Sequence, residues 1–207
     1  MIFQKKKRYN ILLDLSKAIA YLHCHTKEII HGDIKPDNVM ITKFGQVKLC
    51  DLGLSKIKQD VQVSMMSTSN VRGTPMYMSP EQLLESKTSS RKTDVYSFGV
   101  TMFEVLYEEF VYEADNVEEL CISLQNSEIP QKLWRKRQDP GYNLIHQCLQ
   151  FEPTARPDAM ILIEELKALC FLPASCNVAA KLSQTKIKHV PNKQKMFQSK
   201  RYFIIKD

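Results

Sequence analysis

His31-Gly32-Asp33-Ile34-Lys35-Pro36-Asp37-Asn38 sets a lysine and an asparagine two and five residues after an aspartate, directly before the apolar run Val39-Met40-Ile41. A second run, Val47-Lys48-Leu49-Cys50, leads into Asp51-Leu52-Gly53. Lys43-Phe44-Gly45-Gln46 separates the two runs. The pattern reads as a β-hairpin with an acid-bearing loop at each end. The groups gathered there suit phosphoryl transfer from a magnesium nucleotide. One carboxylate can accept a hydroxyl proton. A second carboxylate and an amide oxygen suit a hard cation, and an ammonium can sit beside the moving phosphate. A lone loop aspartate is ordinarily a turn or capping residue. Lys35 and Asn38 at these offsets set Asp33 apart from that reading.

Working outward, Ile11, Leu12, Leu15, Ile19 and Leu22 recur at three- and four-residue steps and predict a helix over 9–25 that delivers the chain to the first loop. Residues 55–71 are polar and aperiodic, which reads as a mobile loop. Pro80 and Glu81 open a short helix, with proline where its missing donor costs little. Residues 94–107 are apolar on nearly every side, as a buried central helix requires. Further helices are expected over 116–124, 140–149 and 158–169, the last capped by Asp158. No internal repeat is present. The boundary falls near Pro173, so 1–172 form the globular domain and 173–207 a basic tail, expected to be disordered.

The 207 residues are 43% hydrophobic and 25% charged, which suits one globular unit with a tail. The net charge of +6 misleads as a whole-chain figure. From Ala174 onward eight basic residues face one acid, leaving 21 basic against 22 acidic residues, net −1, in the rest. Charge therefore argues against nucleic-acid binding by the globular part. The tail is expected to be a solvated extension. Cysteines 24, 50, 121, 148, 170 and 176 show neither Cys-x-x-Cys pairing nor metal-ligand spacing with histidine. They read as reduced thiols of a cytoplasmic protein. The longest apolar stretches fall well short of the roughly 18 residues of a membrane span.

These residues resemble the protein kinase family. His31 to Asn38 follows the pattern His-Arg-Asp-x-x-x-x-Asn, with Gly32 at the arginine position, and Asp51-Leu52-Gly53 follows Asp-Phe-Gly. Gly73-Thr74-Pro75-Met76-Tyr77-Met78-Ser79-Pro80-Glu81 is similar to the end of an activation segment, with Ser79 where alanine is usual. Asp94-Val95-Tyr96-Ser97-Phe98-Gly99 is similar to the start of the central helix of the large lobe. Pro153-Thr154-Ala155-Arg156-Pro157 carries the late arginine that pairs with the glutamate here numbered Glu81. The resemblance covers residues 9–172. It implies an α+β, mainly α fold: the C-terminal lobe of a kinase with a small β-hairpin at the catalytic loop. It implies that Asp33 is the catalytic base and that Lys35 contacts the γ-phosphate. Asn38 and Asp51 are the implied magnesium ligands, with ATP and Mg2+ as cofactors. Lys35-Pro36-Asp37 and Thr74 imply serine/threonine specificity on protein substrates, and Tyr96-Ser97-Phe98 implies the tyrosine-kinase-like group. Glu81 and Arg156 are expected to form a buried ion pair. Asp94 is expected to accept backbone donors of the catalytic loop.

Other residues read as structural. His31 is expected to be a packed core histidine rather than a proton shuttle. Cys50 is expected to be a small strand residue, although the family sometimes shows a reactive thiol there. Trp134 with Arg135, Lys136 and Arg137 reads as a surface helix edge. Gly32 in place of arginine predicts weak control by phosphorylation of Ser64, Ser67, Thr68 or Ser69. Neither a Gly-x-Gly-x-x-Gly loop nor a Val-Ala-Ile-Lys strand occurs. The expectation is a fragment of a longer kinase that starts near the interlobe hinge. The alternatives are a catalytically impaired truncated form acting as a binding or decoy module, and an enzyme whose small lobe is supplied in trans.

Overall fold

A hydrophobic central helix organises the molecule. The computed structural model describes residues 2–52, 56–57, 75–126, 129–171 and 205–206. Helix α3 (Arg91–Tyr107) buries thirteen of its seventeen residues, among them Tyr96, Phe98, Met102 and Phe103. It is therefore wrapped on almost all sides, as the mostly apolar stretch over 94–107 requires. Helix α1 (Ile2–His23) and helix α6 (Tyr142–Cys148) lie against it, and α7 (Ala159–Phe171) packs along α1. The remaining helices are α2 (Pro80–Leu83), α4 (Val117–Gln125) and α5 (Gln131–Arg135). The expected mainly helical fold is observed.

Two small β elements sit beside this body. Strand β1 (Ile29–Ile30) pairs antiparallel with β4 (Lys56–Ile57), with Ile29 opposite Ile57. Strand β2 (Val39–Thr42) pairs antiparallel with β3 (Val47–Leu49), with Val39 opposite Leu49. A third strand, β5 (Ile205–Lys206), lies parallel to β2 on its other edge. The hairpin turn closes through Gly45 N–H donating to Thr42 O (2.8 Å) and Thr42 N–H donating to Gln46 O (2.9 Å). Gly45 adopts φ +79°, the left-handed conformation that glycine enters without penalty. Phe44 at the turn tip and Leu52 beyond β3 are 82% and 53% exposed, so this end of the molecule presents apolar surface.

Several boundaries differ from the sequence reading. Helix α1 starts at Ile2 rather than near residue 9. Its first turns are polar but rich in good helix formers. They are held by Lys5 pairing with Asp139 and by an Arg8 nitrogen donating to Leu106 O at 2.9 Å. Helix α3 begins at Arg91, earlier than residue 94, because Ser90 and Thr93 form a reciprocal capping box. Asp158 was expected to cap α7 with its carboxylate. That carboxylate instead accepts from Lys92 Nζ (2.7 Å), and it is the Asp158 carbonyl that receives Ile161 and Leu162 N–H. Strand β4 lies inside the stretch read as loop. The five-residue α5 has no sequence signal long enough to show a period. Gly53, Thr74, Ser64, Ser67, Thr68 and Ser69 lie outside the described residues. So does the tail over 173–207, apart from β5.

Candidate functional site

The loop after β1 is suspended from the first turn of α3. Asp94 is buried there, and its Oδ2 accepts the His31 N–H (2.9 Å) while its Oδ1 accepts the Gly32 N–H (2.8 Å). The expected role of Asp94 as acceptor for this loop is observed. Two amides on one carboxylate fix the direction in which the chain leaves β1. Gly32 takes φ +80°, which a side chain at this position would strain.

His23, at the end of α1, holds the other side of Asp94: its Nε2 lies 2.8 Å from Asp94 Oδ2. Sequence reasoning missed this residue. It stands at the end of a helix with nothing local to distinguish it, and its partner is 71 positions away. The pattern of helix faces could have indicated only that His23 continues the apolar side of α1.

Beyond Gly32 the chemistry-bearing side chains converge. Asp33 is only 8% exposed, and its Oδ2 accepts from Lys35 Nζ (2.6 Å) and from Asn38 Nδ2 (2.9 Å). Asn38 Nδ2 also donates to the Asp33 carbonyl (2.7 Å). The short turn Pro36–Asn38, opened by a proline at its first position, brings Asn38 back over Asp33. Asp33, Lys35 and Asn38 are thus brought together as their spacing suggested. A buried carboxylate is costly unless compensated, and here an ammonium and an amide compensate it.

Asp51 arrives from the other end of the hairpin. Cys50 N–H donates to Asn38 O (2.8 Å), so Asn38 and Cys50 face each other and Asp51 lies one residue further on. Asp51 is exposed and takes φ +64°, a left-handed turn that swings the chain out of β3. His31 ties the two loops together. Its Nδ1 accepts the Asp33 N–H (3.2 Å), which leaves Nε2–H to donate to Cys50 O (3.0 Å). Both ring nitrogens are engaged by backbone and the residue is fully buried, so His31 is the packed histidine expected and acts as a strut. The Cys50 thiol is partly buried, with Sγ 3.8 Å from Lys48 O.

The donor set fits a magnesium nucleotide. Both contacts of the Asn38 amide nitrogen go to Asp33, so its amide oxygen is the end available to a cation. Together with the Asp51 carboxylate this makes an all-oxygen pair. Among the described residues no group of three or more histidine, cysteine, aspartate or glutamate side chains could hold a metal by itself. A hard cation here would take its remaining ligands from phosphate oxygens and water, the usual arrangement for magnesium.

A second buried polar assembly anchors the segment that ends in α2. Arg156 and Glu81 are 2% and 5% exposed and form a bidentate pair at 2.7 and 2.8 Å. Arg156 also donates to Gln150 O, Lys92 O and Phe151 O, and stacks on the Tyr96 ring at 4.9 Å. The Tyr96 and Tyr112 hydroxyls share a hydrogen bond of 2.6 Å. The expected Glu81–Arg156 pair is present. Trp134 is exposed with Arg137 over its ring, a surface helix edge as read.

Comparison with known proteins points one way. Residues 1–166 match the family described as protein kinase domain. The chain is 31% identical over 170 residues to the serine/threonine-protein kinase CTR1 of Arabidopsis thaliana, covering 80% of this chain and 20% of that protein. It is 32% identical over 164 residues to the dual specificity protein kinase shkC of Dictyostelium discoideum, covering 77% of this chain and 31% of that protein. A human ankyrin repeat and protein kinase domain-containing protein is 29% identical over 192 residues, covering 86% of this chain and 25% of that protein. The chain therefore spans a third or less of the length of these relatives.

Proposed function

The chain belongs to the protein kinase family, and from that premise we propose that it carries the large-lobe machinery of a serine/threonine kinase. Its substrates on this reading are proteins with serine or threonine acceptors, in cytoplasmic signalling. The observation that carries it is the buried Asp33 carboxylate gripped by Lys35 at 2.6 Å and by Asn38 at 2.9 Å. Both contacts fall on Oδ2, which leaves Oδ1 to receive the proton of an acceptor hydroxyl. Lys35, already beside that carboxylate, is placed to meet negative charge on the transferring phosphoryl group. Asn38 through its amide oxygen and Asp51 through its carboxylate would hold magnesium. Bound Mg-ATP supplies the phosphoryl group and neutralises its charge. His31 keeps the loops of Asp33 and Asp51 in register. His23 and Asp94 orient the backbone on which Asp33 stands.

The test is phosphorylation of serine, threonine and tyrosine peptides by the chain fused to the nucleotide-binding small lobe of a relative. Asp33→Asn should lower the rate about 10²- to 10⁴-fold, the usual worth of a positioned base, while Mg-ATP affinity stays within about twofold. An undiminished rate would remove Asp33 from the chemistry. A preference for tyrosine peptides would overturn the serine/threonine reading.

A further inference from the structure

Between α4 and α5 the surface opens into a cavity of about 210 Å³. Its floor is Val111 and Tyr112, buried residues that follow α3. Ser123 and Asn126 wall it from α4, and Ile129 and Pro130 line it just before α5. The outer face of α4 extends this hollow. At helical spacing Glu118, Glu119, Ile122 and Asn126 share one side, opposite the buried Leu120 and Leu124. Ile122 is 53% exposed and Ile129 39%. A single exposed apolar residue is ordinary. These two stand at the mouth of one cavity, where an incoming apolar group would be buried with them.

The charge around the cavity has one sign. Residues 104–119 hold seven acids and no lysine or arginine. The earlier acids meet cations from elsewhere: Arg8 pairs with Glu108, and Lys136 with Glu109 at 2.9 Å. Lys132, which lines the cavity, is held inward, donating to Phe110 O (3.1 Å) and lying 3.6 Å from Glu113. Asp115, Glu118 and Glu119 pair with no lysine or arginine among the described residues. Acids in the first turn suit the helix dipole, which accounts for Glu118 and Glu119 within the fold. It does not account for the exposed isoleucines beside them.

We propose that the groove between α4 and α5 docks a peptide segment of a partner protein in which a large apolar side chain is flanked by lysine or arginine. The apolar side chain enters the cavity and covers Ile122 and Ile129. The basic groups meet Asp115, Glu118 and Glu119, whose charge the fold leaves uncompensated. An apolar centre inside a charged rim is the anatomy of a recognition surface. The groove stands apart from the phosphoryl-transfer reading, and binding alone tests it.

The probe is a random peptide library displayed on phage and selected on the full 207-residue chain. Enriched peptides should carry leucine, isoleucine, methionine or phenylalanine next to lysine or arginine. Their affinity should fall about fivefold or more on Ile122→Ser and on Asn126→Trp, which roofs the cavity. Glu118→Lys should weaken binding by a similar factor and reduce its dependence on salt. All three positions are exposed, so thermal midpoints should stay put and separate lost docking from lost folding. Peptides that bind the three variants as tightly as the parent chain sit elsewhere and overturn the proposal. So does a selection that enriches acidic peptides or none. Self-association of the chain that Ile122→Ser abolishes also overturns it, since the occupant would then be a second copy.

Discussion

Arg156 shows how much one side chain can hold. All five of its N–H donors are placed, two on Glu81 and three on the carbonyls of Gln150, Lys92 and Phe151, and its plane lies against Tyr96. A lysine offers a point charge and three donors and cannot reproduce that fork. Arg156→Lys should therefore lower stability by about 3–5 kcal/mol, as expected for breaking a buried pair, measured as a shift in urea midpoint. A loss below about 1 kcal/mol would mean the pair behaves like a surface salt bridge. The pairing of Glu81 with Arg156 was legible through its resemblance to a known pattern. The three carbonyls and the Tyr96 ring were not, because they come from α3 and from the turn after α6. Asp33, Lys35 and Asn38 were legible for the opposite reason: six consecutive residues of one loop carry them all. His23 was illegible because only α3 gives it a partner.

At the level of elements, the α3–α6 contact rests on an absent side chain. A Cβ at Gly99 would meet Cys148 Cβ at 2.5 Å and Leu149 at 3.2 Å. The two helices approach closely because glycine leaves room. Gly99→Ala gains up to about 1 kcal/mol of helix propensity. It also overpacks a full core, which typically costs about 1–3 kcal/mol. The contact is to a Cβ rather than to a flexible tip, so overpacking should win. A net fall in the thermal midpoint is expected, partly restored by Cys148→Gly; a rise in the single variant would show that α6 yields freely. Helix α3 could be recognised from composition over 94–107, since a stretch apolar on nearly every side belongs inside a fold, while its polar start at Arg91 to Thr93 could not. Strand β4 could not, because its partner β1 is selected across the hairpin and not by neighbouring residues.

Across the whole molecule, buried tyrosines make stability depend on alkaline pH. Burial and the neighbouring Tyr112 hydroxyl push Tyr96 well above its ordinary range. Burial likewise pushes Tyr112 up to about 12, opposed by the Tyr96 hydrogen bond and by Arg156. Burial and then the charge of Asp139 raise Tyr9. Unfolded tyrosine ionises near pH 10. Below that pH both states keep the proton and the stabilisation is complete. Above it the unfolded chain loses protons that the folded one retains, so stability falls as pH rises toward the folded values. Urea midpoints should hold steady to about pH 9.5 and then decline. Tyr112→Phe should make the decline shallower. A midpoint independent of pH up to 11.5 would mean these hydroxyls are not shielded.

The order of residues along the chain was enough to establish several helices, a hairpin between two acid-bearing loops, and the grouping of Asp33 with Lys35 and Asn38, since spacing and periodicity are local. The kinase-like body was implied by resemblance to a known family. Folding alone decided that His23 braces Asp94, that His31 bridges Asp33 to Cys50, that Arg156 stacks on Tyr96, and that a strand from residue 205 closes the edge of β2. Each of these joins groups far apart in sequence, and the free energy that selects them comes from burial and hydrogen bonding between elements, which no single segment contains.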